Sequence, residues 1–185
     1  MRKIRETMKH VLIGVMLLLA GRAQAQTFTL KSKDLGGQAT QKEFFNGWGC
    51  TGSNISPQLY WEHAPAGTQS FAITIFDKDA PTGSGFWHWV VYNLPAASKE
   101  LPAGAGDLTK KLLPAGAANG KNDFGQLGYG GPCPPAGPAH QYLITVYALK
   151  SKLDLDANAS AAVIGFNLNA NSLGQASLVM YGQTK

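Results

Sequence analysis

Arginine is missing from most of the chain: Arg2, Arg5 and Arg22 are the only three, and none follows. Planar, two-pronged gripping of phosphate or carboxylate is therefore closed to the body of the protein. A basic stripe is missing too. The formal charge is +5, but residues 1–25 hold five Lys or Arg and one Glu, leaving eleven basic and ten acidic residues in 26–185. With Lys110-Lys111 the sole adjacent basic pair in that part, nucleic acid is not an expected partner. No apolar run approaches the roughly twenty residues of a spanning helix; the longest, VLIGVMLLLA at 11–20, has ten. It follows the basic MRKIRETMKH and precedes the small-x-small pattern Ala23-Gln24-Ala25. This is the layout of a secretory signal over 1–25, cleaved after Ala25, and it predicts a periplasmic or secreted protein. Arg22 follows LLAG where lipid attachment requires a cysteine.

Cysteine is scarce, with only Cys50 and Cys133. An exported chain meets an oxidising compartment, where an even count favours pairing, so a Cys50–Cys133 disulfide is expected over two buried free thiols. A G-x-S-x-G nucleophile elbow is absent, since TGSGF at 82–86 has the wrong spacing. Internal repeats and long linkers are absent as well, and residues 26–185 read as one domain.

What is present is mostly β. Short β-branched or aromatic runs at 28–32, 57–61, 70–76, 86–94, 141–149 and 176–181 are bounded by Gly, Pro, Asn and Asp. One helix is predicted over 156–170, capped by Asp156 or Asn158, with Ala161, Ile164 and Leu168 on its buried face. Period-two alternation groups Phe71, Ile73, Ile75 and Asp77, then Phe86, His88, Val90 and Tyr92, then His140, Tyr142, Ile144 and Val146. Each apolar row has a polar or ionisable residue at or near one end. If the three ends meet, Asp77, His88, His140 and Tyr142 line one concave site.

Blander roles compete at each position. Asp77 and Asp79 can bond the backbone of their own turn, a buried His88 can be structural, and His63 reads as a loop residue. Pro81 allows a cis Ala80–Pro81 bond as a way to fold the loop back. Asp77, His88 and His140 form a conceivable zinc set, and Cys133 with His140 a conceivable thiol and base. Neither is the preferred reading, and no metal, cofactor or catalytic residue is expected. The glycines of GYGGPCPPAGP, 128–138, are expected to let backbone N–H groups approach a ligand.

Taken together, GCTGSNISPQLYW (49–61), DKDAPTGSGFWHWVVYNLP (77–95), NDFG (122–125) and GYGGPCPPAGPAHQYLITVYAL (128–149) resemble the phosphatidylethanolamine-binding protein family, in its bacterial Raf-kinase-inhibitor-like branch. The resemblance runs from about Thr27 to the C-terminus. It implies a Greek-key-like antiparallel β-sandwich with peripheral helices and a small pocket for phosphate, acetate or a phospholipid head group. By motif the pocket residues are Asp77, Asp79, Pro81, His88, Cys133, Pro134, His140 and Tyr142. It also implies a non-catalytic binder, or else an inhibitor or effector acting on a protein partner, kinase or protease; a homodimer stays open, and a hydrolase is the remote alternative. Lys78 stands where the family loop often carries proline.

Overall fold

The computed structural model describes residues 26–156 and 158–184; the predicted signal and its cleavage site lie outside the described residues. Five strands form one antiparallel sheet: β5 (Ser70–Asp77), β6 (Phe86–Pro95), β8 (Ala118–Asn119), β9 (His140–Leu149) and β10 (Ser172–Gly182). Their order is β10-β9-β5-β6-β8. A smaller sheet is made of β1 (Thr29–Lys31), β4 (Leu59–Glu62) and β7 (Glu100–Leu101), and β2 (Asn46–Gly47) pairs with β3 (Cys50–Thr51) as a separate hairpin. The helix α1 spans Ala161–Asn171.

Each face of the large sheet buries its own apolar set, which explains why several strands are apolar on both sides. On one face Phe71, Ile73, Ile75, Ile144 and Val146 pack with Leu30, Leu59, Trp61 and Leu101 of the small sheet. On the other, Ala72, Val90, Tyr92 and Tyr147 pack under Ala161, Ile164 and Leu168 of α1. Complete burial of an Ile or Leu side chain contributes about 1.5–3 kcal/mol relative to exposure, so these two layers hold the strand ends in fixed relation.

The helix begins later than its sequence suggests. Ser160 is the cap, its hydroxyl accepting from Val163 N–H at 3.3 Å. Asp156 closes the preceding turn, accepting from Asn158 N–H at 2.7 Å. The two-residue strands β2, β3, β7 and β8 escaped detection because two residues carry no periodicity. At its far end the chain passes from Asn171 straight into β10, whose first residues SLGQ were masked by Gly174 and a register shift between Ser172 and Gly174.

Strand β6 breaks period-two alternation twice. Ile75 pairs with Trp89 but Phe76 with Trp87, so His88 is an extra residue; a second shift falls between Phe71 and Ile73, near Asn93 at φ 57°. A bulge rotates the side chains on one side of it relative to the other. Val90 and Tyr92 consequently join the layer under α1, while Phe86 and His88 line a cavity on the opposite face with Tyr142. The predicted grouping of all four on one face is corrected by that bulge.

Candidate functional site

The C-terminal end of β5, the N-terminal half of β6 and the start of β9 converge on a cavity of about 200 Å³. Antiparallel register places Asp77 opposite both Phe86 and Tyr142. His140 Nδ1–H donates to Asp77 Oδ2 at 2.7 Å, and Asp79 N–H donates to Asp77 Oδ1 at 2.9 Å. Asp77 therefore both turns its own loop and holds an imidazole. Asp79 has a different job: it accepts from Gln141 N–H at 2.8 Å and pairs with Lys78 at 2.7 Å, tying the DKDAP loop to β9. The Lys78 ammonium is the first cause, and the Gln141 amide the second, of its lowered carboxyl pKa.

His88 is 4% exposed. Its Nδ1 meets two carbonyl oxygens, Gly130 at 2.7 Å and Gly131 at 3.1 Å. Carbonyls only accept, so Nδ1 carries the proton. Nε2 is left without the proton, in a ring that lines the cavity. Burial lowers the His88 pKa, against the opposing pull of the Gly130 carbonyl and the Asp77 charge. Tyr142 is fully buried and its hydroxyl lacks a hydrogen-bond partner. Burial first, and the charge of Asp77 second, raise its pKa.

Glycine is required at two positions behind His88. A Cβ on Gly131 would stand 2.0 Å from the Glu43 carbonyl oxygen, and one on Gly130 would stand 2.5 Å from the Phe124 ring. The close approach is to protein, however. Gly130 N–H donates to the His88 carbonyl at 2.9 Å, and Gly131 N–H to Asn54 Oδ1 at 2.7 Å. The expectation that these amides face a ligand is thus corrected: the loop offers its carbonyls, and it offers them to His88.

Aromatic side chains close the mouth. Trp48 and Gly49 form the tip of the β2–β3 hairpin at φ 53° and 89°, the paired left-handed conformation that two-residue turns demand. For a tryptophan this conformation costs about 1–2 kcal/mol. Its ring, 68% exposed, lies 4.7 Å from the Phe124 ring and 6.2 Å from Phe86. A Cys50–Cys133 disulfide, S–S 2.03 Å, bolts this hairpin to the proline-rich wall.

Of the eight residues proposed from sequence, Asp77, Pro81, His88, Cys133, Pro134, His140 and Tyr142 line the cavity; Asp79 stands at its rim. The wall also includes Trp48, Thr82, Phe86, Phe124 and Pro135, which sequence reasoning missed. Glycines flanking Trp48, two residues from Cys50, were the available signal. Pro81 follows a trans bond, as do all described residues; Gly83 and Gly85, at φ 77° and 72°, turn the loop instead. His63 is exposed in a loop, as expected. Among the described residues no three His, Cys, Asp or Glu side chains are grouped to hold a metal ion. None of their helices is long and apolar enough to cross a membrane.

A two-layer β-sandwich with a small cavity at one end of its large sheet is the architecture of a binding module. The chain belongs to the phosphatidylethanolamine-binding protein family, whose model matches residues 36–183. It is 46% identical over 176 residues to the UPF0098 protein YbcL of Escherichia coli K12, spanning 92% of this chain and 96% of that protein. With the UPF0098 protein YbhB of the same organism it shares 48% over 152 residues, 80% of this chain and 96% of that one. The crystal structure of YbcL, described as a member of the mammalian PEBP family, superposes with a TM-score of 0.83, covering 86% of this chain and 100% of that one. A phosphatidylethanolamine-binding protein homolog from Chlamydia trachomatis, 25% identical, gives 0.71 over 86% of this chain and 99% of that one.

Proposed function

We propose that the protein is an exported, non-catalytic binder of small anions, the phosphate of a phospholipid head group among them, and that Asp77, His88, His140 and Tyr142 are the polar contacts. The observation that carries this reading is the cavity itself: two imidazoles and a buried hydroxyl surrounded by Trp48, Phe86, Phe124 and prolines. Its volume of about 200 Å³ lies below the ~300 Å³ at which ordinary small-molecule pockets begin, which suits a head group and not acyl chains. Binding is weak, with Kd about 1 mM, or ~4 kcal/mol, because the arginine fork is missing. Cys133 in a disulfide has no free thiol for nucleophilic work. That disulfide also fits an oxidising compartment, in keeping with a leader at 1–25.

Titration of ¹⁵N-labelled protein with inorganic phosphate at pH 6 tests the pocket. Saturable shifts of the His88 and His140 ring signals are expected in the millimolar range. Shifts confined to surface lysines, or none up to 50-fold above that range (about 50 mM), overturn the reading.

A further inference from the structure

His88 brings the cavity an acceptor and not a donor. Its Nδ1–H is committed to the carbonyls of Gly130 and Gly131, so in the neutral ring Nε2 is a bare lone pair. The neighbouring amides of Gly130 and Gly131 are spent on the His88 carbonyl and on Asn54, and the Thr82 hydroxyl on Gly85. Lys78, at the rim, is paired with Asp79. An anion that can only accept hydrogen bonds therefore meets an acceptor in the His88 wall of its own pocket.

Resting on the reading of this cavity as an anion site, we propose that it selects anions that bring their own proton. The class is the monoanion of inorganic phosphate or a phosphomonoester, whose P–OH donates to His88 Nε2. A phosphodiester, including the glycerol-linked phosphate of an intact phospholipid, has no such proton and binds more weakly. Burial of His88, which lowers its pKa, works in the same direction. The groups near the ring are Asp77 from β5, Asp123 from the loop after β8, and His140 and Tyr142 from β9. With its Nδ1–H held by Asp77, His140 donates from Nε2 only as the imidazolium, and as the neutral ring it offers an acceptor there, as His88 does. The Tyr142 hydroxyl, which has no partner, can donate to either ester class, which leaves the preference between the classes to the imidazole acceptors.

Methyl phosphate and dimethyl phosphate are the probes, with glycerophosphoethanolamine representing a lipid head group, each titrated between pH 5.5 and 8 while ¹⁵N long-range spectra report the His88 tautomer. In the unliganded protein His88 is expected as the neutral Nδ1–H form. At pH 6 methyl phosphate should bind at least about tenfold more tightly than either diester. The ratio should fall toward one by pH 8, where loss of the monoester proton near pH 6 leaves only about 1% of the monoester able to donate. His88→Gln, which adds a side-chain N–H donor, should bring the ester classes within about threefold of each other; if that variant does not fold, the wild-type tautomer and ratio still decide. Equal affinities for both ester classes, parallel pH dependence, or an Nε2–H tautomer overturn the inference and leave the anion pocket standing. Failure of all three probes to bind refutes the pocket reading, and this inference with it.

Discussion

Replacing both cysteines, Cys50→Ala with Cys133→Ala, removes a crosslink that spans 83 residues. In the chain-entropy treatment, closing a loop of that length restricts the unfolded chain by about 4.5 kcal/mol at 25 °C. This is a large part of the ~5–15 kcal/mol that a domain commonly has. Outside the hairpin the folded state loses little besides, since Phe45 N–H still donates to Pro132 O at 2.9 Å. Urea unfolding of wild type and double variant, followed by far-ultraviolet circular dichroism, measures the difference. With a slope of about 2 kcal/mol per M, the midpoint should drop by roughly 2 M. The slope should also rise, because an unlinked denatured chain exposes more surface. A two-residue hairpin is marginal by itself, so the Trp48 tip should become mobile and the amides of 46–51 should lose exchange protection. A loss of stability below about 1 kcal/mol refutes the loop-closure argument.

Leu168→Ala acts on the opposite face of the sheet from the cavity. Leu168, on the inner face of α1, is fully buried against the sheet, and truncation should cost about 2–5 kcal/mol in chemical unfolding while leaving the phosphate-induced shifts of His88 unchanged; altered shifts would show that the two faces are coupled. Acid stability offers a test of His88. Burial holds its folded pKa below the usual value, so as the pH falls the unfolded chain takes up that proton first. The contribution is fully present above the unfolded pKa of about 6.5, and is lost between there and the lower folded pKa at up to ~1.4 kcal/mol per unit of depression. Urea midpoints measured from pH 7.5 to 5 should fall more steeply in wild type than in His88→Gln, and identical slopes would be the contrary result.

The ends of the large strands were legible because long antiparallel runs advertise themselves. In 70–77 and 140–149 every second residue points the same way, so alternation put Asp77 at the end of one apolar row and His140 and Tyr142 at the end of another, and the register Asp77↔Tyr142 joined the two. It failed in β6, where His88 is an extra residue against Ile75 and Phe76. Whether a strand bulges depends on how its partner's side chains pack, and nothing local to FWHWVVYNL records it. Trp48 and Phe124 escaped for a related cause: neither sits in a periodic element, and they reach the cavity through a hairpin tip and a loop pinned by a crosslink between distant residues.

Residue order alone determined the β-rich class, the helix with its Ala161, Ile164 and Leu168 face and most of the ionisable side chains of the cavity, and it favoured the cysteine pairing that the structure shows. These follow from short-range patterns and from the chemistry of the residues present. The protonation pattern of the cavity was decided by tertiary structure. The GYGG loop read from sequence as a source of amide donors for a ligand, yet folding spends those amides on His88 and Asn54 and turns the carbonyls of Gly130 and Gly131 onto His88 Nδ1. A hydrogen bond across 42 residues has no local signature, and it is that bond which fixes which nitrogen of His88 meets the ligand.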